Sequence, residues 1–230
     1  MQKKEPHIRI IPNGPYLVSG NIPLSEKIIV PNGDGYIYQD GRKLPQRETY
    51  ALCRCGKTST PPFCDGAHIA CGFVGEETAC KNDYDKRATK LTGSGVDLLD
   101  DGRCAFARFC HRESGDAWEL AENSDTEFLR SEAILAASEC PAGRLTALEK
   151  DGTAYEPEYS PGIEIFQDPE EKVSAGIFVK GGIPIESADG STYEVRNRVV
   201  LCRCGLSHNK PFCDAAHIAG DYHDLAKRKD

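Results

Sequence analysis

The stretch LCRCGKTSTPPFCDGAHIA, residues 52–70, returns as LCRCGLSHNKPFCDAAHIA at residues 201–219, and 13 of the 19 aligned positions are identical. Within it the spacing Cys53-x-Cys55-x8-Cys64-x3-His68 is repeated as Cys202-x-Cys204-x8-Cys213-x3-His217, 149 positions later and with no slip in register. These eight residues are kept while the middle of the string, residues 57–61 against 206–210, has drifted. Thiolate sulfur and neutral imidazole nitrogen are metal ligands, so the string reads as a metal site written in duplicate.

Working outward, the residues before each string follow one plan. In residues 1–72, short apolar runs at 7–11, 28–30 and 36–39 predict strands; the last lies between Gly33-Asp34-Gly35 and Asp40-Gly41, both hairpin-type turn signals. Residues 50–52 then lead into the first ligand loop. Residues 159–230 replay this, with runs at 163–166, 175–179 and 193–201, and Gly182-Ile183-Pro184-Ile185 echoes Asn21-Ile22-Pro23-Leu24. Arg47 and Arg196 each stand six residues before the first ligand of their string. With 230 residues, 39% apolar content, 22 glycines and 14 prolines, the duplicated chain is expected to be β-rich and loop-rich, with metal stabilising small cores.

Residues 73–158 have a different texture and read as an inserted domain. Ser124-Asp125-Thr126-Glu127 is a capping-box signature, and Leu129, Ala133, Ala136 and Cys140 follow at helical spacing, predicting about four turns ending at Pro141. Residues 111–125 are polar and acidic and predict a surface loop.

A formal charge of −8 and a pI near 5.3 have the wrong sign for gripping a phosphate backbone, which argues against nucleic acid and mildly favours a basic redox partner. No run approaches eighteen apolar residues and the first nine residues are polar, so a soluble cytoplasmic protein without a membrane segment is expected. Eleven cysteines, an odd number in short clusters with histidine, read as metal thiolates before disulfides. No phosphate loop, nucleophile elbow or paired catalytic carboxylate is present, and no enzymatic activity is expected.

Cys53 and Cys55, one residue apart, converge on one ion if the backbone between them is extended and bent. Cys64 and His68, four apart, share a face if they lie on one short helix. Asp65 and Asp214 are expected in its first turn, where a carboxylate favours free amides, and Pro62-Phe63 and Pro211-Phe212 to stiffen the approach. Three cysteines and a histidine are a legitimate tetrahedral zinc set, although zinc fingers favour ligand pairs two to four residues apart. Spacing leaves a zinc-stabilised structural or interaction module and an iron–sulfur protein both open.

Cys-Arg-Cys, then Thr58 or Ser207, then Pro-Phe-Cys-Asp-(Gly/Ala)-Ala-His resembles the CDGSH iron–sulfur family, which includes the mitoNEET-like proteins. The resemblance implies one 2Fe-2S cluster per string, with Cys53 and Cys55 on one iron and Cys64 and His68 on the other, and likewise Cys202 and Cys204, then Cys213 and His217. It also implies an intertwined β-sandwich of two units. Because both lie in one polypeptide, the expected fold is α+β and β-rich: an intramolecular pseudo-dimeric β-sandwich with an inserted ferredoxin-like α+β domain, monomeric with an internal pseudo-two-fold. Electron transfer or cluster transfer to an apo-acceptor protein would follow. The chain departs from the motif at Ala215, where the family has glycine. Charge adds a prediction: three thiolates and an imidazole leave an oxidised 2Fe-2S centre at −1. Its potential should therefore lie between the roughly −400 mV of plant-type ferredoxins and the roughly −150 to +300 mV of Rieske centres.

Cys104-x5-Cys110 with the later Cys140-Pro141 resembles the divergent mono-cluster ferredoxin domains, with Ala107 where a fourth cysteine ligand would stand. Three thiolates suit a 3Fe-4S cluster, or a 4Fe-4S cluster with one other ligand; the alternative is a domain without a cluster, Cys140 packing on the helix face. Cys71 and Cys80 fit no ligand set and are expected as buried thiols. His111 is a spare ligand or a surface residue, and His7, His208 and His223 have ordinary contexts.

Overall fold

The computed structural model describes residues 5–220 and 222; His223 lies outside them. The first half forms β1 (His7–Ile10), β2 (Tyr16–Ser19), β3 (Leu24–Asn32), β4 (Gly35–Lys43), β5 (Thr49–Leu52) and the short α1 (Ala67–Ala70). The middle forms α2 (Tyr84–Arg87), β6 (Thr89–Leu91), β7 (Asp97–Asp100), β8 (His111–Arg112), β9 (Gly115–Asp116), α3 (Ala117–Glu122), α4 (Glu127–Ser138) and β10 (Leu145–Leu148). The last part forms β11 (Gly162–Asp168), β12 (Val173–Lys180), β13 (Ile185–Glu186), β14 (Arg198–Leu201) and α5 (Ala216–Ala219).

The two halves exchange strands. One sheet has the order β13-β1-β2-β5 and the other β14-β12-β11-β3-β4, so each takes strands from both halves. β1 runs parallel to β13 with Ile8 opposite Ile185, and β11 runs parallel to β3 with Ile163 opposite Leu24. The Ile8 amide donates to the Pro184 carbonyl at 3.0 Å and the Ile163 amide to the Pro23 carbonyl at 2.9 Å. The echoed Ile-Pro segments thus do the same work in each half, carrying the chain across to the other sheet. Alternation within the strands sends Ile8, Ile10, Tyr16 and Leu52 from the first sheet, and Ile163, Ile177, Val179 and Leu201 from the second, into one shared core. Each such side chain contributes about 1.5–3 kcal/mol by leaving water, so exchange and burial reinforce each other.

Gly33-Asp34 closes the β3–β4 hairpin as expected, but Asp40-Gly41 does not turn the chain. β4 continues to Lys43 across a register shift between Ser25 and Lys27, and a Cβ on Gly41 would stand 2.7 Å from that of Glu26. The glycine there permits close strand approach at a bulge.

In the middle, β10-β7-β6 form an antiparallel sheet, and Val96, Leu98 and Leu145 share a core with Leu120 of α3 and Ala133, Ala136 and Ala137 of α4. α4 has 12 residues, about three turns, and its N-cap is Thr126, whose hydroxyl accepts from the Leu129 amide at 3.3 Å. Ser124 instead accepts the Gly95 and Val96 amides at 2.8 and 2.9 Å, tying a neighbouring loop down. Residues 111–125 are not a loop: they hold β8, β9 and α3. The true capping box is Asp116 with Glu119, both reciprocal bonds being present. The middle segment leans on the second sheet, where Ala105, Ala107 and Phe109 pack with Phe166, Phe178 and Val200. Among the described residues no helix is long and apolar enough to cross a membrane.

Candidate metal centres

Each ligand loop starts at the end of a strand and folds back on it. The Cys53 amide donates to the Pro62 carbonyl at 2.8 Å and the Cys64 amide to the Ala51 carbonyl at 3.0 Å; Cys202 to Pro211 and Cys213 to Val200 repeat this at 2.8 Å each. Pro62 and Pro211 both follow cis peptide bonds. The hydroxyls of Thr58 and Ser207 donate to the Phe63 and Phe212 carbonyls, each at 2.7 Å, and accept the amides of Thr60 and Asn209. Only a hydroxyl can do both, which explains the residue type kept there.

All eight expected ligands come together as close pairs. The sulfurs of Cys53 and Cys55 are 3.7 Å apart, as are those of Cys202 and Cys204. His68 Nδ1 lies 3.4 Å from the Cys64 sulfur, and His217 Nδ1 3.6 Å from that of Cys213. Two ligands on one tetrahedral ion, with bonds of about 2.3 Å to sulfur and about 2.0 Å to nitrogen, stand about 3.8 Å apart for a sulfur pair and about 3.5 Å for sulfur and nitrogen. Each pair is therefore spaced to share an ion. Among the described residues no three such donors converge on a single ion.

The cysteine–histidine pairs are not built on one helix face. Cys64 and Cys213 precede their four-residue helices, and the left-handed turn at Gly66 (φ 88) and Ala215 (φ 66) brings the histidine back. Asp65 and Asp214 likewise precede the helix cap. Asp65 accepts the Ala67 amide at 3.0 Å and, across the loop, the Ser59 amide and hydroxyl, both at 2.7 Å. The Ser59 amide first, then its hydroxyl and the Ala67 amide, hold this carboxyl down at about 2. Its bracing is thus complete above the ordinary carboxylate range and is lost as pH falls through about 2. Ala215 keeps the left-handed conformation that glycine adopts freely. Ala215→Gly should accordingly stabilise the metal-loaded protein by about 1 kcal/mol in denaturant titration, and a loss of stability would contradict strain at that turn.

Burial and neighbouring thiolates favour the protonated form of two of these thiols. Burial, with Cys53 alongside, pushes the Cys55 thiol up to about 12, and burial raises Cys213 far above its ordinary value. Clustered, dehydrated thiols ionise when a metal replaces their protons. The intervening arginines are buried with them. Arg54, 1% exposed, donates to the carbonyls of Gly14 and Gly75, both at 2.9 Å, and Arg203 donates to that of Ser174 at 2.8 Å. The two loops adjoin: a Cβ on Gly56 would stand 2.4 Å from the Cys204 carbonyl oxygen, and one on Gly205 2.9 Å from that of Cys55. Tyr16 of the first half donates to the Cys202 carbonyl at 2.8 Å and the Pro211 carbonyl at 3.1 Å. Nothing in the sequence singled out Tyr16, whose role depends on strand exchange; the arginine repeated between both cysteine pairs was the available signal for Arg54 and Arg203.

Cys104, Cys110 and Cys140 line one small cavity of about 20 Å³. The Phe106 amide donates to the Cys104 sulfur at 3.4 Å, and burial, then the nearness of Cys140 and Cys104, pushes Cys110 up to about 12. Cys71 and Cys80 are exposed rather than buried, because each lies in a surface segment outside the sheets. His111 and His208 are exposed, and His7 pairs with Glu186 at 3.0 Å.

No curated protein and no solved structure is detectably similar to the chain. Residues 13–69 and 176–218 match the family described as iron-binding zinc finger, CDGSH type. The first match ends one residue after His68 and the second one residue after His217. The CDGSH-type iron-binding domain is thus matched twice, at the two places that carry the paired ligands, as a tandem repeat would be.

Proposed function

We propose that the protein is an iron–sulfur protein with two 2Fe-2S centres that passes electrons or whole clusters to a partner protein and catalyses no reaction of its own. The observation that carries this reading is the grouping of each ligand set into a two-sulfur pair and a sulfur–imidazole pair, each spaced for one ion. A binuclear centre uses two such pairs, whereas a lone zinc ion needs all four donors around one point. Cys53 and Cys55 would hold one iron and Cys64 and His68 the other; Cys202 and Cys204, with Cys213 and His217, repeat the arrangement. When bound, such a group supplies a one-electron couple. The chain's own residues exclude water from the sulfurs, fix the loops through Arg54 and Arg203, and set the charge through one imidazole per centre.

The exchanged strands and single shared core support a pseudo-dimeric β-sandwich within one polypeptide. The three middle cysteines are a suitable donor set for a third cluster, but the cavity between them has no room for one unless residues 104–110 move outward.

Cys55→Ala tests the assignment of two separate centres. Iron and acid-labile sulfide should both fall by about half relative to the parent protein, with the second centre's visible absorption retained. Complete loss of both from a protein that still folds, or no change, would count against two independent sites.

A further inference from the structure

The duplication supplies an internal comparison, because the same face beside the cysteine–histidine pair exists twice and is covered only once. In the second half, the Arg103 guanidinium lies over the Phe212 ring at 4.1 Å and that of Arg196 over the Tyr84 ring at 3.7 Å. The amides of Thr78 and Ala79 donate to the Lys210 carbonyl, each at 2.9 Å. These contacts all come from the middle segment and leave a cavity of only about 10 Å³. Cys213 and His217 beneath are each 3% exposed.

Phe63 and Arg47 are the counterparts of Phe212 and Arg196 in the aligned halves. There the cavity is about 360 Å³, lined by Pro45, Arg47, Thr49, Tyr50, Ala51, Phe63 and the ligand Cys64, with no residue from the middle segment. Arg47 is exposed, while Cys64 and His68 are only partly buried. Tyr50 stands edge-on to Phe63 at 6.4 Å and Tyr193 to Phe212 at 5.2 Å; the two tyrosines come from non-equivalent positions, so each phenylalanine has an aromatic neighbour but only Phe212 has a cover from the middle segment.

We propose that this open face, beside Cys64, is the docking surface for a basic protein partner that lays a cationic side chain over Phe63 and an aromatic ring against Arg47. Arg103 and Tyr84 make those contacts in the other half, which defines the chemistry the face accepts. The chain's net charge of −8 and the exposed carboxylate of Asp65 next to Cys64 offset the single cation of the lining, Arg47, and give a basic surface the complementary sign. What the partner exchanges there rests on the iron–sulfur reading; where it docks does not. The inserted segment then makes the two centres unequal, one facing a partner and the other sealed by the chain itself.

The test uses the full metal-loaded chain at low ionic strength with ferricytochrome c, a basic haem protein, as the probe. Hydrogen-exchange mass spectrometry should show new protection at residues 45–52 and 60–64. Arg47→Ala, an exposed change, and Phe63→Ala should each weaken binding by about tenfold or more, whereas Phe128→Ala, at a side chain 64% exposed on α4, should leave it unchanged. Protection elsewhere, no binding, or equal binding by Arg47→Ala would overturn the proposal. Self-association abolished by Arg47→Ala would also overturn it, by assigning the face to a second copy of the chain. Iron and sulfide measured on the same sample separate the two readings: their absence would remove the clusters without deciding where the probe binds.

Discussion

Replacing His68 by cysteine should lower the midpoint potential of one of the two centres toward the roughly −400 mV of all-cysteine plant-type ferredoxins. Charge is the cause. Three thiolates bring an oxidised 2Fe-2S centre to −1; a fourth brings it to −2, and adding an electron to a more negative centre is harder. The neighbouring cation Arg54 is held by backbone carbonyls and stays in place, so the change is confined to the ligand. His217→Cys should give the larger fall, because His217 is 3% exposed while His68 is partly solvated, and charges interact more strongly where water is excluded. A redox titration followed by electron paramagnetic resonance reads both. One component should move and the other stay, and an unmoved potential in His68→Cys would remove His68 from the ligand set.

The largest effect on stability is expected at Arg198, which lies in β14 four residues before Cys202 and is 1% exposed. It donates to the Glu156 carboxylate through Nε at 2.9 Å and Nη2 at 3.0 Å, and to the carbonyls of Ala137 at 2.9 Å, Ser138 at 3.1 Å and Leu145 at 3.0 Å. Two of those carbonyls end α4, where a cation also meets the negative end of the helix. One guanidinium thus joins the second ligand strand to the helix and sheet of the middle segment. Arg198→Met keeps much of the volume but takes the guanidinium from the partly exposed Glu156 carboxylate, which keeps its Asn197 bond at 3.0 Å, and leaves several carbonyls without their donor; it should cost about 3 kcal/mol in unfolding free energy. Adding Glu156→Leu should restore part of the loss, since removing both charges is less harmful than removing one. Burial tends to raise the Glu156 carboxyl, but the Arg198 bonds outweigh it and hold the group below its ordinary value. This contribution is present above the ordinary carboxylate range and fades as pH falls through the lowered value. A single-variant loss under about 0.5 kcal/mol would contradict the assigned role.

The metal ligands were legible because coordination chemistry admits few residue types and the chain states them twice in one register. Strands such as His7–Ile10 and Gly162–Asp168 were legible as apolar runs. Their pairing was not, because Ile8 finds Ile185 across most of the chain and local pattern carries no information about a partner that distant. Two local readings failed for a shared reason: Asp40-Gly41 and Ser124 are residues that turns and caps favour, but contacts elsewhere, Glu26 against Gly41 and the Gly95–Val96 amides on Ser124, decide what they do. Asp116 and Glu119 carried a readable capping box, hidden by the acidic composition around it. The unequal cover over Phe63 and Phe212 had no signal in the ligand strings, because the cover is supplied by residues between the repeats.

The most direct test is the content of iron, zinc and acid-labile sulfide per chain in protein purified without oxygen, with its visible spectrum. Two 2Fe-2S centres predict about four iron and four sulfide in a coloured sample, and seven or eight iron would add an occupied middle site. Two zinc and no sulfide in a colourless sample, with cluster loss during purification excluded, would contradict the iron–sulfur account.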